Sequence, residues 1–254
     1  MKKQIWSFAI IVLFACSNNS SGDAGKKVNG ESSSVTQKED NNSGHGCSSF
    51  LWFKKGTTLE YKLTDATGAS IGNSTTTIDD VRQDGGSMVA DYTVSFASGK
   101  SVKGSYRCEG DKIYMDTKSF FQNNFSGLQK SGMEIEMQNG SVSFPSDMKV
   151  GDNLESTSFE ADVKKNGKDF MKIFSEVKER NIDGKEKITT SGGSWNCFRL
   201  NEVRTTTTEV MGRKTPPVNT KSVSWFASGI GPVKFETYDA TGNLASRSEL
   251  ISIK

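Results

Sequence analysis

The chain has 254 residues, of which 33% are hydrophobic and 24% charged, and a formal net charge of +2. That length holds one domain of about 200 residues, or two small ones at most. Removal of Lys2 and Lys3 with a leader would bring the charge to zero, and a neutral chain lacks the clustered cations that phosphate backbones require, so nucleic acid is excluded as a partner.

At the N-terminus two lysines precede an apolar run of about 11 residues, Ile5 to Ala15. This is the order of a secretory signal, and it is about half the ~20 residues that a membrane-spanning helix needs. The run closes on Leu13-Phe14-Ala15-Cys16, which resembles the bacterial lipoprotein signal, in which the cysteine is acylated and becomes the new N-terminus. Phe14 departs from that pattern, where a small residue is usual. The expectation is a signal peptide over residues 1–15 and lipidation at Cys16. The membrane is then a partner through acyl chains, each buried CH₂ contributing about 0.8 kcal/mol. The implied location is the cell envelope, at the outer membrane of a Gram-negative bacterium.

Residues 16–46 contain three aliphatic side chains, Ala24, Val28 and Val35. These bury too little surface to offset ordering entropy, so the segment reads as a disordered tether of ~30 Å typical span. His45, the only histidine, stands between Gly44 and Gly46 at its end and reads as a solvated linker residue.

Residues 47–254 read as a mostly β single domain, a curved antiparallel sheet (half-barrel or open barrel) with at most one or two short helices. Leu59, Tyr61 and Leu63 alternate with Glu60 and Lys62, and Asp65-Ala66-Thr67-Gly68 turns the chain. Met88, Ala90, Tyr92, Val94 and Phe96 mark one face of a half-buried strand, and Val102, Gly104, Tyr106 and Cys108 mark the next. Phe121, Phe125 and Leu128 have helical spacing and predict a short amphipathic helix within residues 118–130. Met133, Ile135 and Met137 resume the strand period, and Asn139-Gly140 predicts a hairpin leading into Val142 and Phe144. Residues 169–177 fit either period, and Asp183-Gly184, read as a hairpin turn, favours a strand. Further strands are expected over 195–204 and 221–227. Residues 61–68 and 235–242 echo one another, both ending in Asp-Ala-Thr-Gly, and predict two hairpins of one type.

Besides Cys16, the chain holds Cys47, Cys108 and Cys197. In an oxidising compartment one disulfide is expected. Cys47 opens the ordered region and Cys108 shares an apolar face with Val102 and Tyr106, so the pairing Cys47–Cys108 is expected; the alternative is three buried thiols packed as small hydrophobes. Catalytic residues are expected to be none, because the folded region has no histidine to serve a nucleophile as base. Metal ligands are likewise expected to be none: Asp79-Asp80 and the group Glu155, Glu160 and Asp162 lack EF-hand spacing and read as solvated strand faces. No cofactor is implied, since Ser191-Gly192-Gly193-Ser194 lies between strands rather than ahead of a helix.

Three stretches together resemble TapB-like proteins, a family of exported bacterial proteins. They are Lys149-Val150-Gly151-Asp152-Asn153-Leu154, the run from Glu186 through Thr189-Thr190 and Gly193 to Cys197-Phe198-Arg199-Leu200, and the tail Trp225 to Glu236. Ser191 stands where the family usually has proline. The resemblance implies a curved antiparallel sheet or half-barrel akin to the lipoprotein carrier fold, and no catalytic residues. The expected function is a membrane-anchored envelope lipoprotein acting as a non-catalytic interaction or scaffolding module. It would bind an envelope protein or glycan through aromatics such as Trp52 and Trp225, taken as exposed. The alternative is a carrier of a lipid or other hydrophobic ligand, drawing on Phe120, Phe121, Phe125, Met133, Met137, Phe170, Met171 and Phe174.

Overall fold

The computed structural model describes residues 46–99, 101–116, 133–138 and 140–254. The signal segment, Cys16, the tether through His45, and the predicted helix at 118–130 lie outside the described residues. Two short 3₁₀ turns, Cys47–Ser49 and Leu51–Phe53, lead into strands β1 (Thr58–Asp65), β2 (Ser70–Asp84), β3 (Ser87–Phe96), β4 (Ser101–Glu109) and β5 (Lys112–Asp116). Next come β6 (Met133–Gln138), β7 (Ser141–Pro145), β8 (Asn153–Leu154), β9 (Thr157–Lys165) and β10 (Lys168–Thr190). The chain ends with β11 (Gly193–Val210), β12 (Arg213–Lys214), β13 (Val218–Ala227), β14 (Gly231–Tyr238) and β15 (Leu244–Ile253). Among the described residues there is no α-helix.

All strands join one open antiparallel sheet in the order β6-β9-β10-β11-β13-β14-β15-β1-β2-β3-β4-β5-β7, with β12 on β11 and β8 on β10. The mostly β fold expected from period-two alternation is present, and the sheet is not closed into a barrel. The first and last strands of the domain, β1 and β15, pair at its middle. Their hairpins are alike in detail: Asp65 Oδ1 accepts from the Thr67 amide at 2.9 Å and hydroxyl at 2.7 Å, and Asp239 Oδ1 accepts from Thr241 in the same way at 2.9 and 2.7 Å. The echo in sequence is thus an echo in turn chemistry.

Two predicted turns are corrected. Asp183-Gly184 lies inside the 23-residue strand β10, where the register against β11 slips between Ile182 and Gly184. It is a bulge, held by Asp183 accepting from Arg199 Nε at 2.7 Å. The Asn139-Gly140 step does not join paired strands either, because β6 pairs with β9 and β7 with β5. The two edges of the sheet are therefore consecutive in sequence, and three residues from Gln138 to Ser141 keep those ends within about 11 Å.

That seam is bridged by side chains instead of a ladder. Thr157 Oγ1 donates to the Ser141 carbonyl at 2.8 Å, and Arg180 Nη2 donates to the Ser143 carbonyl at 3.1 Å. Arg180 also donates from Nη1 to the Glu155 carbonyl (2.8 Å) and from Nε to Glu202 Oε1 (2.7 Å), with the Phe144 ring 5.2 Å away. Its side chain is fully buried. It sits at a second β10 bulge, where Glu179 has a φ of +52° and the register slips between Lys178 and Asn181. An edge strand with free backbone groups is a template for aggregation, and these side-chain bonds cover part of β7.

Candidate functional site

The inside of the curl is filled by the segment that opens the domain. Trp52, 3% exposed, stacks on Tyr106 with ring centres 4.5 Å apart and 6° between planes, and Tyr106 lies 4.4 Å from Tyr92. Phe226 meets Trp52 edge-on at 6.4 Å and Phe144 at 5.0 Å. Gly231, with a φ of +106°, is required here: a Cβ would fall 2.5 Å from the Trp52 ring. The space left among Phe50, Met148, Phe198 and Phe226 is about 10 Å³, no more than one water molecule.

Cys47, in the first 3₁₀ turn, is joined to Cys108 on β4 by a disulfide, with Cα atoms 5.9 Å apart. It pins the aromatic plug to the sheet across a sequence separation of 61 residues. Reduction is expected to cost about 2–4 kcal/mol, read as a fall in the urea midpoint with unchanged slope. A midpoint that does not move would show that the plug is held by packing alone. Cys197 is a free, fully buried thiol, and burial pushes its pKa up to about 12, so it packs as a small hydrophobe.

Trp52 and Trp225 were expected as exposed binding aromatics, and both are buried. Trp52 is the plug. Trp225 is covered by the Lys234 ammonium, 4.4 Å from its ring, and donates Nε1–H to Glu186 at 2.7 Å. Of the acidic groups singled out in the sequence only Glu160 and Asp162 come together, both reaching the Lys172 ammonium, at 3.7 and 3.3 Å. Asp80 pairs with Lys55 at 2.9 Å, Asp79 accepts from Thr93 at 2.6 Å, and Glu155 pairs with Lys112 at 2.9 Å. The Asp80 and Glu155 carboxyls are held below their ordinary range by hydrogen bonds from these lysines. Among the described residues no three His, Cys, Asp or Glu side chains are grouped to hold a metal ion.

What remains accessible is an open cleft of about 490 Å³ across β6, β9, β10 and β11. Register builds it from two rungs of directly opposed residues: Gln138, Glu160, Phe174 and Thr207, then Ser158, Glu176 and Thr205. Phe159 and Ser175 border it. One ring, two carboxylates, an amide and three hydroxyls offer hydrogen bonds and a small apolar platform, a surface matched to a polar ligand rather than an acyl chain. The opposite face of the same strands carries Ala161, Val163 and Ile173, packed with Met133, Met137 and Met171. The residues named for a hydrophobic ligand thus divide: Phe174 lines the cleft, these methionines pack in a core cluster, Phe170 is half-buried beneath Lys165, and Phe120, Phe121 and Phe125 lie outside the described residues. The cleft is not visible in any local motif, because it depends on which four strands stand side by side.

The family described as DUF3108-like matches residues 54–250. The chain belongs to the DUF3108-like family. The comparisons return this family and not the TapB-like name. Two solved structures share the fold. One is a protein of Bacteroides fragilis NCTC 9343 described as exported, with a YmcC-like fold: 20% identity, TM-score 0.58, covering 81% of this chain and 98% of its own. The other, from Parabacteroides distasonis ATCC 8503, is described as a lipoprotein: 18% identity, TM-score 0.61, with the same coverages of 81% and 98%. No curated protein matches the chain. One of the three stretches singled out in the sequence acquires a physical meaning here. The Thr190-Ser191-Gly192 tip of the β10–β11 hairpin lies against β15, where Thr190 donates to the Leu250 carbonyl and a Cβ on Gly192 would fall 2.9 Å from Leu250 O.

Proposed function

We propose that this DUF3108-like protein is an exported, lipid-anchored envelope protein whose β domain is a non-catalytic binding module. The filled interior carries this reading: Trp52, Tyr106, Phe144 and Phe226 occupy the place where a carrier would hold an acyl chain. The open polar cleft on the β6–β11 wing is then the surface offered to a partner, a glycan or protein rich in hydrogen-bonding groups. Export and anchoring are supported by the Ile5–Ala15 run ending at Cys16, and by structural relatives described as exported and as a lipoprotein.

Cys16→Ala is expected to move the protein from the membrane pellet to the soluble fraction. Retention in the pellet would overturn the anchor. Native mass spectrometry of protein extracted from its own membrane tests the module. A stoichiometric acyl lipid within the domain would favour the carrier instead, whereas a lipid-free domain whose glycan or protein adduct is lost in Glu160→Ala supports the cleft.

A further inference from the structure

One end of the wing collects its turns. Lys165 pairs with both Met133 and Lys168, and Val210 pairs with both Met171 and Arg213. The Met211 amide donates to the Phe170 carbonyl at 3.2 Å. The start of β6, the Asn166-Gly167 turn and the Met211-Gly212 turn are therefore neighbours at a single tip. Lys165, Lys168, Arg213 and Lys214 are exposed there, and among the described residues none of them enters an ion pair. Lys165 and Lys214 lean over the rings of Phe170 and Phe174, at 5.8 and 5.5 Å. Among the described residues, Glu134, Asp169 and Glu209 are the acidic residues beside these four cations.

Met211 is 81% exposed, more than any other exposed large hydrophobic residue described. Its backbone makes this harder to explain. Asn166-Gly167 (φ +54° and +73°), Gly85-Gly86 (+56° and +88°) and Met211-Gly212 (+50° and +80°) are turns with left-handed values at both central residues. Such turns favour Asn, Asp or Gly in the first place. The sheet uses Asn and Gly at two of the three and methionine at the third, where the side chain has strain against it and almost no packing in its favour.

We propose that this tip is a membrane-contact surface: Lys165, Lys168, Arg213 and Lys214 bind anionic phospholipid headgroups while Met211 inserts at the headgroup–acyl boundary. The cations account for attraction to an anionic surface, and the exposed methionine distinguishes a bilayer from a soluble polyanion. The proposal rests on the anchored reading for proximity alone: a flexible chain of some thirty residues after Cys16 would span ~30 Å and keep the domain within reach of lipid.

The test attaches an environment-sensitive dye to Met211→Cys in the full chain. With Cys47 and Cys108 paired and Cys197 buried, the new thiol is the reactive one in the domain. Vesicles of phosphatidylcholine with and without about 30% phosphatidylglycerol are added in excess, and flotation reads anchoring separately from dye emission. A blue shift and rise in emission are expected with the anionic vesicles only. Each cation near such a surface is worth about fivefold in partition, so Lys168→Glu with Arg213→Glu should weaken the response at least 30-fold. Met211→Asn, which suits the turn, should melt no lower than the parent while an unanchored Cys16→Ala chain carrying it floats less. A chain that floats without a dye shift overturns the tip and leaves the anchor standing. A shift indifferent to charge reversal, or binding to heparin with no vesicle response, also overturns it.

Discussion

Replacing Arg180 with alanine is expected to cost about 3–5 kcal/mol of folding stability, the range for removing one partner of a buried ion pair. The guanidinium is completely shielded and makes directed bonds to Glu202, to the Glu155 carbonyl and to the Ser143 carbonyl. Its loss strands the Glu202 carboxylate, 13% exposed, and withdraws donors from carbonyls on both sides of the seam. It also separates the β7 edge from β10, leaving the seam to Thr157 and to the exposed Lys112–Glu155 pair. Lysine at 180 is not a conservative replacement, since one ammonium cannot reproduce a fork directed at three acceptors. Urea unfolding of Arg180→Ala, Glu202→Leu and the double variant separates the causes. The double variant should lose less than the two single losses added together, because no charge is left unpaired. Strict additivity, or a single-variant loss under about 1 kcal/mol, would refute the seam argument.

The sequence speaks clearly where a strand has one wet face. Tyr92 on β3 and Tyr106 and Cys108 on β4 alternate cleanly with polar neighbours, and all three are buried. It misleads where a turn signal is local and the fold is not. Asp183-Gly184 and Asn139-Gly140 are equally good hairpin dipeptides in isolation. The first is absorbed into a 23-residue strand because the long β11 pairs across it and Arg199 holds Asp183, and the second lies between the two edges of the sheet. No rule based on adjacent residues encodes that β9 returns beside β6. Trp52 and Trp225 failed as exposed aromatics for a related reason. A tryptophan outside the alternating pattern is as able to plug a curved sheet as to face solvent, and the deciding partners, Tyr106 and Gly231 for one and Glu186 and Lys234 for the other, are remote in sequence. The cleft was illegible for the same cause, since Gln138, Glu160, Phe174 and Thr207 align only once four strands are in register.

Trp52→Ala should lose about 3–5 kcal/mol and, more informatively, should open an apolar cavity within the aromatic cluster, where Phe50, Met148, Phe198 and Phe226 now leave about 10 Å³. The indole is 3% exposed, stacks on Tyr106, abuts Phe50 and Phe226, and is the atom set that excludes any side chain from Gly231. Little can collapse into its place. Tyr106 is also stacked on Tyr92, and the Cys47–Cys108 bridge fixes the plug's start. A rigid cavity lined by apolar groups stays dry and takes up small aromatic molecules. Indole added to Trp52→Ala is therefore expected to raise its melting temperature in proportion to ligand binding and to leave the parent unmoved. This distinguishes the two ways of using a curved sheet. In a carrier the interior is a vacancy with affinity for hydrocarbon, and indole or a fatty acid should bind the parent as well. In the module proposed here the vacancy has been filled by the chain's own first ordered residues, so hydrophobic ligands bind only after Trp52 is removed. Binding of a fatty acid to the unmodified domain with a midpoint shift equal to that of the variant would return the carrier reading to first place.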